Sequence, residues 1–205
     1  MLSLVDQILA RFDGQHRLIV AIAGPPGAGK STLADALARD LNVALKATPA
    51  EVVPMDGYHY DNGILVERGL LARKGAPETF DIDGFLALMR RLRTETGDIA
   101  IPVFDRSIDL ARGSARIVRH DHRILVVEGN YLLLDRPIWR ELAPLFDMRV
   151  FLRPDIAVIE KRLIQRWLDN GLEPDAAVAR ARGNDLPNAA VVLAESASAD
   201  LTLTN

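Results

Sequence analysis

A run of nine residues, Gly24 to Thr32 (GPPGAGKST), constrains the fold more than any other part of the sequence. It directly follows Leu18 to Ala23 (LIVAIA), a short aliphatic run that is typical of a buried strand. Leu33, Leu37 and Leu41 then recur at helical spacing, so a helix is expected immediately after the run. A buried strand joined to a helix by a short glycine-rich loop predicts one unit of an α/β fold.

The spacing Gly24-x-x-x-x-Gly29-Lys30-Ser31 matches the phosphate-binding loop in full. Backbone N–H groups of such a loop converge on a phosphate, and the positive end of the following helix lies behind them. Lys30 is expected to bridge the β- and γ-phosphates, Ser31 to bind Mg²⁺, and Thr32 to reach the α-phosphate. The alternative is a tight turn with an exposed lysine. We assign nucleotide binding to Gly24, Gly27, Ala28, Gly29, Lys30, Ser31 and Thr32.

Length and composition narrow the class of protein. With 205 residues, 49% of them hydrophobic, we predict one domain that spans residues 1–205. The net charge of −3 and the scattered arginines disfavour a nucleic-acid partner. No apolar run approaches the ~20 residues of a membrane span, and the acidic N-terminus resembles no leader peptide, so we expect no membrane insertion. The absence of cysteine is compatible with a reducing cytoplasm, where we expect the protein.

Strand-like and helix-like segments alternate along the rest of the chain. This alternation predicts an α/β fold with a mostly parallel sheet and helices on both faces. Helices are expected over 2–12, 64–74, 81–95 and 155–170. Strands are expected over 51–55, 99–104 and 124–127 and at MRVFL, with 115–123 forming an edge strand that turns into the buried strand 124–127. The tail could form a last strand from Ala199 or fray.

Acidic residues follow two of the predicted strands. Asp56, in MDGYHYDN, could accept a proton from an attacking hydroxyl or help to hold Mg²⁺, although Asp-Gly is also common in simple turns. Glu128, in VVEGNY, ends the most buried strand, where it could orient the ligands of Mg²⁺ or merely meet solvent. Because ligands of parallel sheets bind beyond the carboxyl ends of the strands, both acids are candidates for the site.

Several basic and aromatic residues allow two interpretations each, a role in the site or an ordinary structural role. Arg106 could bind an acceptor or form a surface ion pair. Arg162 and Arg166, four residues apart on one helix, could close over a phosphoryl group or face solvent. The tyrosines Tyr58, Tyr60 and Tyr131 could stack on an acceptor or pack at the edge of the core. His59, His120 and His122 lack the spacing of a transition-metal site, and we predict no such metal.

Six segments in order resemble the phosphoribulokinase/uridine kinase family, and within it the branch of putative fructose transport system kinases and pantothenate kinase-like proteins. They are GPPGAGKST, MDGYHYDN, KGAPETFDIDGF, PVFDR, VVEGNYLLLD and NDLPNA, between about Leu18 and Ala190. The resemblance implies a P-loop kinase fold with a five-stranded parallel sheet and a small lid at about 155–185. It also implies transfer of the γ-phosphoryl group of ATP, with Mg²⁺, to a hydroxyl of a small metabolite.

The resemblance also implies roles for individual residues. It gives Lys30, Asp56 and Arg166 as catalytic residues, with Arg162 as the alternative lid arginine, and Ser31 and Glu128 as the metal site. We expect the acceptor at Asp56, Tyr58, His59, Asn62 and Arg106. Asn184, Asp185 and Asn188 fall in the family's DLPN segment, near the nucleotide but without an assigned role.

Other classes of nucleotide-binding protein fit less well. The chain has no Asn-Lys-x-Asp base-reading segment of a GTPase and no LSGGQ-like signature of a transport ATPase. The remaining rival is a regulatory protein that binds nucleotide without an acceptor. The polar residues 56–62 suit a neutral polyol such as a sugar or nucleoside, whereas Arg106 would also tolerate an anion such as pantothenate. The protein could be a monomer or a homodimer.

Overall fold

A computed structural model describes residues 2–204, so Met1 and Asn205 of the predicted domain lie outside the described residues. Strands and helices alternate, as the hydrophobic pattern predicts. The strands are β1 (Leu18–Ala23), β2 (Ala50–Pro54), β3 (Ile99–Asp105), β4 (Leu110–Val118), β5 (Ile124–Gly129), β6 (Met148–Leu152) and β7 (Leu201–Leu203). The α-helices are α1 (Leu4–Leu9), α2 (Lys30–Leu45), α3 (Asn62–Glu67), α4 (Ile82–Thr94), α5 (Ile156–Asp169), α6 (Pro174–Arg180) and α7 (Leu186–Glu195). A π-helical turn, Ala181–Asp185, joins α6 to α7.

Five strands form one sheet in the order β2-β5-β1-β6-β7. Every pair in it is parallel, which confirms the predicted five-stranded parallel sheet. All residues of β1 and β5 are buried because these strands lie inside the sheet with both faces covered. The carboxyl ends of β2, β5 and β1 therefore meet at one edge of the sheet, where ligands of such folds bind.

Helices cover both faces of the sheet, as predicted. Alternate residues of β1 point to opposite faces: Ile19 and Ala21 belong to a core that includes Phe85 and Met89 of α4, whereas Val20 and Ile22 belong to a second core. The second core includes side chains of α1 and α2, among them Ile8, Leu37 and Leu41. None of the helices within residues 2–204 has the length and apolar character needed to cross a membrane.

The predicted edge strand lies outside the parallel sheet. It forms part of β4, which pairs antiparallel with β3 in a separate two-stranded hairpin. Only the five residues 119–123 separate β4 from β5, and a parallel neighbour needs a much longer crossover. Arg116 of β4 instead donates a hydrogen bond of 2.8 Å to the Val52 carbonyl, which holds the hairpin against the exposed edge of β2.

Two predicted helices are shorter in the structure. α1 begins after a capping box at Ser3 and ends at Leu9 instead of residue 12, although Phe12 still packs on the core. The predicted helix 64–74 is divided into α3 and a 3₁₀ turn at Leu71–Arg73, because Gly69 between them has a φ of 67° that ends the helix. Helix α5 and the tail strand β7 lie where they were predicted.

Candidate active site

The loop Gly24–Thr32 joins the central strand β1 to the amino end of α2. Gly29 precedes the helix with a φ of 91°, in the left-handed region that favours glycine. Gly24 passes so close to β6 that a Cβ on it would lie 2.6 Å from the Leu152 carbonyl oxygen. Lys30, Ser31 and Thr32 form the first turn of α2, whose free N–H groups and positive dipole end favour an anion.

Lys30 is a buried cation with little local compensation. Its side chain is only 8% exposed, and its Nζ donates a hydrogen bond of 2.9 Å to the Pro25 carbonyl. Burial lowers the pKa of Lys30 to about 8, although the carboxylates of Glu128 and Asp56 partly oppose this shift. An ammonium group that has lost its water is stabilised by nearby anions. Phosphate oxygens in the loop would supply such anions, so the loop fits a nucleotide.

Asp56 and Glu128 reach the site from neighbouring strands. Glu128 lies in β5 opposite Pro54 of β2, and Asp56 follows β2 in the 3₁₀ turn Met55–Tyr58. Burial, and then the charge of Asp56, raises the pKa of Glu128 to about 7. Burial acts in the same direction on Asp56, but His59, Arg106 and Lys30 together hold the pKa of Asp56 below its usual value. Asp56 is therefore the ionised acid of the pair.

Ser31 and Glu128 form the part of the site that fits a magnesium ion. The Ser31 hydroxyl donates a hydrogen bond of 3.2 Å to Glu128 Oε1, so the two groups can share a cation. Among residues 2–204, no group of three or more His, Asp or Glu side chains is arranged to hold a metal ion by itself. Mg²⁺ needs only a few protein ligands, because water and substrate phosphates fill its remaining positions.

The hairpin β3–β4 brings Arg106 to the catalytic edge of the sheet. Arg106 follows β3, and its Nη2 donates a hydrogen bond of 2.8 Å to Asp56 Oδ2. The hairpin packs directly against the 3₁₀ turn that carries Asp56. The two approach so closely that a Cβ on Gly57 would collide with the Pro102 carbonyl. Sequence reasoning expected Arg106 near the acceptor but gave no sign that an antiparallel hairpin would deliver it.

Three side chains close the far end of the cleft, and we call them the polar clasp: Asn62, Lys74 and Asp109. Lys74 Nζ donates to Asn62 Oδ1 at 2.7 Å and to the Asp109 carbonyl at 2.8 Å, and it lies 2.9 Å from Asp109 Oδ2. Asn62 Nδ2 donates to the same carboxylate at 3.1 Å. Asn62 was predicted to bind the acceptor, but both ends of its amide already have partners. Lys74 and Asp109 were missed, because their contact spans 35 residues.

The two aromatic residues predicted at the acceptor differ in position. His59 lines the cleft, with its ring 4.0 Å from that of Phe80 and 4.7 Å from that of Phe104. Burial lowers its pKa, and its Nδ1 lies 2.8 Å from the Asp56 carbonyl oxygen. Tyr58 does not line the cleft, which corrects its prediction as an acceptor residue: it points into the core, where its ring makes an edge-on contact with Phe85 at 5.2 Å.

The structure separates the two candidate lid arginines. Arg166 of α5 lines the cleft, and its Nη2 donates a hydrogen bond of 3.3 Å to Asp185 Oδ2. Arg162 lies instead against the phosphate loop, with Nη1 at 3.4 Å from the Gly27 carbonyl oxygen. Trp167, beside Arg166 in sequence, also lines the cleft.

One cleft of about 790 Å³ is lined by Asp56, Glu128, Arg106, Arg166 and the polar clasp. Gly27, Gly29, Lys30, Ser31 and Thr32 line it, whereas Gly24 and Ala28 support the loop from behind. A phosphate loop, two acids at strand ends and converging arginines are the recurring parts of enzymes that transfer phosphoryl groups from nucleotides. Fold and site together define a P-loop phosphotransferase.

Comparison with known proteins identifies the family. The model of the Phosphoribulokinase / Uridine kinase family matches residues 19–176, which is most of the chain. This protein belongs to that family. It is accordingly a P-loop kinase, an enzyme that transfers a phosphoryl group from a nucleotide to a hydroxyl group.

Relatives with substantial coverage support the assignment. A Schizosaccharomyces pombe protein named "Putative uridine kinase C227.14" is 34% identical over 196 residues, which are 92% of this chain and 83% of that protein. The pantothenate kinase of Enterococcus faecalis is 32% identical over 151 residues, 73% of this chain but only 49% of that enzyme. A crystal structure described as a putative fructose transport system kinase from Silicibacter sp. TM1040 is 48% identical, with a TM-score of 0.92 over 99% of this chain and 100% of that one.

Proposed function

We propose that this protein transfers the γ-phosphoryl group of ATP to a hydroxyl of a small metabolite, with Asp56 as the base that receives the proton. The observation that carries the proposal is the position of an ionised Asp56 in the same cleft as Lys30 and the phosphate loop. A carboxylate beyond the γ-phosphate position has a clear use in a kinase, because the attacking hydroxyl must lose its proton. A protein that only binds nucleotide has no such need.

The proposed division of work follows from the position of each group. The loop and the first turn of α2 bind the phosphates through N–H groups, and Lys30 neutralises the transferring oxygens. Ser31 and Glu128 would hold Mg²⁺, which supplies charge neutralisation at the β- and γ-phosphates. Arg166 faces the cleft from α5, where it can stabilise charge on the phosphoryl group as a lid arginine.

The acceptor is proposed to bind between Asp56 and the polar clasp. The lining there combines His59, Arg106, Ser107 and the aromatic face of Phe104, next to the clasp residues. Such a mixture of hydrogen-bonding groups and one apolar surface suits a sugar, a nucleoside or a pantothenate-like metabolite. Lys74 is paired with Asp109 and Arg106 with Asp56, but the Arg106 side chain is 62% exposed and that of Lys74 only 9%, so Arg106 is the acceptor-side cation that could also meet an anionic group. Because ATP is the donor and the chain lacks cysteine, the cytoplasm is part of the proposal.

The test measures ADP release from Mg·ATP with a panel of sugars, nucleosides, pantothenate and sugar phosphates, for the wild type and Asp56→Asn. We expect one acceptor to stimulate release, and Asp56→Asn to lower kcat on the order of a hundredfold or more with little change in ATP affinity. Asp35→Asn on the outer side of α2 is the matched control and should retain activity. An Asp56→Asn variant with normal turnover would contradict the proposal.

The alternative function is a regulatory protein that binds nucleotide without an acceptor. It predicts tight binding of Mg·ATP, no stimulation by any member of the panel, and no effect of Asp56→Asn on the nucleotide response. The two functions therefore separate in one set of assays.

A further inference from the structure

We propose that the π-helical turn between α6 and α7 is a shared support for both sides of the catalytic cleft, with Asp185 as a positioning residue for Arg166. Asn184 of the same turn and Asn188, one turn further on in α7, position the acceptor-side segment 73–75. The inference rests on the proposed function and gives a role to residues that the sequence left without one.

The local sequence explains why the helix widens here. The Leu186 N–H group donates to the Ala181 carbonyl, five residues back, as in a π-helix. Pro187 has no N–H group, so it cannot donate to the Gly183 carbonyl as a regular α-helix would require. The widened turn brings two consecutive polar residues to the interior. Asn184, Asp185 and, one turn on, Asn188 are 2%, 6% and 2% exposed.

Asp185 binds the nucleotide side of the cleft. Its Oδ2 accepts hydrogen bonds from Trp167 Nε1 at 2.5 Å and from Arg166 Nη2 at 3.3 Å. The Arg166 guanidinium also lies 5.2 Å from the centre of the Trp167 ring. A long arginine side chain loses much rotamer freedom when it is held, so a buried carboxylate that fixes it in advance reduces the cost of ordering it during the reaction.

Asn184 and Asn188 bind the acceptor side. Asn184 Nδ2 donates to the Lys74 carbonyl at 2.8 Å, and Asn184 Oδ1 accepts from Arg73 Nη1 at 3.2 Å. Asn188 Oδ1 accepts from Arg73 Nη2 at 3.4 Å. The same segment contains Lys74 of the polar clasp, so one turn of helix supports both the lid arginine and the end of the acceptor pocket.

The arrangement predicts different kinetic effects for the two ends of the turn. Asp185→Asn keeps the size of the side chain but removes the charge that holds Arg166, and should lower kcat on the order of a hundredfold with little change in acceptor KM. Asn188→Ala should raise acceptor KM about tenfold, the loss expected for one hydrogen bond. Arg182→Ala is the matched control: Arg182 lies in the same turn but points outward, where its Nε donates to Glu160 at 2.8 Å, and its loss should leave both constants unchanged.

A second readout tests the positioning role without turnover. In ¹⁵N-labelled protein, the Trp167 indole N–H resonance should move upfield in Asp185→Asn, because an amide is a weaker acceptor than a carboxylate. The resonance of Trp139, in the sheet core, should stay in place. Addition of Mg²⁺ and a non-hydrolysable ATP analogue should shift the Trp167 resonance in the wild type and much less in Asp185→Asn, as Arg166 then lacks its fixed starting position.

The outcomes separate this inference from the proposed function. A wild type that transfers phosphoryl to no acceptor would defeat the proposed function, and the nucleotide titration would still decide the role of Asp185. The inference is overturned if nucleotide leaves the Trp167 resonance unmoved in the wild type, if Asp185→Asn keeps the wild-type kcat, or if Arg182→Ala lowers kcat as much as Asp185→Asn does.

Discussion

At the scale of single residues, two carboxylates and one ammonium group share the cleft in different protonation states. Asp56 is held ionised by its cationic neighbours, whereas burial raises the pKa of Glu128 to about 7 and lowers the pKa of Lys30 to about 8. The shifts of Glu128 and Lys30 reflect groups that have been removed from water before a ligand arrives, whereas that of Asp56 reflects the cations around it. The Glu128 and Lys30 side chains therefore lower the stability of the ligand-free protein and contribute to its activity.

Replacement of Lys30 by alanine should nearly abolish phosphoryl transfer and weaken binding of Mg·ATP. It removes the buried charge that faces the γ-phosphate position, where a low dielectric strengthens each electrostatic contact. Isothermal titration with Mg·ATP and single-turnover kinetics measure the two effects. Lys161→Ala, at an exposed position of α5, should bind and react as the wild type does. Normal transfer by Lys30→Ala would refute the assignment of the loop.

Replacement of Glu128 by glutamine should stabilise the ligand-free protein at high pH. Glu128 has a folded-state pKa near 7, above the ordinary 4.5, so its favourable contribution to folding is present below about pH 4.5 and lost as the pH rises through 7. The free energy of unfolding of the wild type should therefore decrease between pH 5 and pH 8 as Glu128 ionises. That of the glutamine variant should not show this decrease. We expect the two proteins to match near pH 5, and the variant to be more stable by about 2 kcal/mol at pH 8.

Urea unfolding in EDTA without nucleotide measures this difference. Glu67→Gln, at an exposed position of α3, is the control and should show no such dependence on pH. A glutamine variant less stable than the wild type at pH 8 would show that ionised Glu128 is compensated in the folded protein.

At the scale of elements, the hairpin β3–β4 is held to the rest of the molecule at its two ends. Near its base, Arg116 binds the Val52 carbonyl at the edge of β2. At its tip, Asp109 enters the polar clasp with a φ of 52°. Between them, Arg106 contacts Asp56. The geometry of the acceptor end therefore depends on how firmly the tip is held.

Replacement of Lys74 by methionine should loosen the hairpin tip without unfolding the protein. The methionine leaves Asp109 without its cation, but the Asp109 side chain is 58% exposed and can be solvated by water, so the cost in overall stability should be small. We expect faster amide exchange over residues 105–111 and an unfolding midpoint close to that of the wild type. Lys46→Met, at the exposed end of α2, is the control. Unchanged exchange at the tip would show that the polar clasp does not hold it.

The last strand is joined to β6 by parallel pairing and by an ion pair between Arg149 and Asp200. Asp200 accepts from the Arg149 backbone N–H at 2.7 Å and from Arg149 Nη2 at 3.0 Å, and the Arg149 side chain lowers the pKa of Asp200. A lowered pKa gives stability that is present above the ordinary value of 3.8 and lost as the pH falls below it. Asp200→Asn should therefore cost about 1 kcal/mol at pH 7 and almost nothing near pH 2.

Thermal unfolding across this pH range checks the prediction. Asp121→Asn, in the exposed turn before β5, serves as the control. A loss that persisted unchanged at low pH would point to packing instead of charge.

At the scale of the whole molecule, the sequence predicts what is repetitive and local. The sheet, its covering helices and the phosphate loop were predicted, because hydrophobic periodicity and the spacing of the loop residues are patterns among residues that are close in sequence. The hairpin pairing, the polar clasp and the contact of Asp185 with Arg166 were not, because each joins residues that are distant in sequence. Tyr58 was misplaced for a related reason: it follows Gly57 in a polar run, and only the packing of α4 shows that its ring points inward.

The position of the hairpin outside the parallel sheet has a consequence for how such an enzyme can diversify. Within residues 2–204 its two strands pair only with each other, so their length and tip can change without a shift in the register of the strand that precedes the phosphate loop. Under the proposed function, the phosphate loop after β1 binds the donor, whereas Phe104, Arg106 and Asp109 of the hairpin belong to the acceptor side. Exchange of the β3–β4 segment between relatives is therefore expected to change which alcohol the enzyme phosphorylates, while its nucleotide-binding site stays the same.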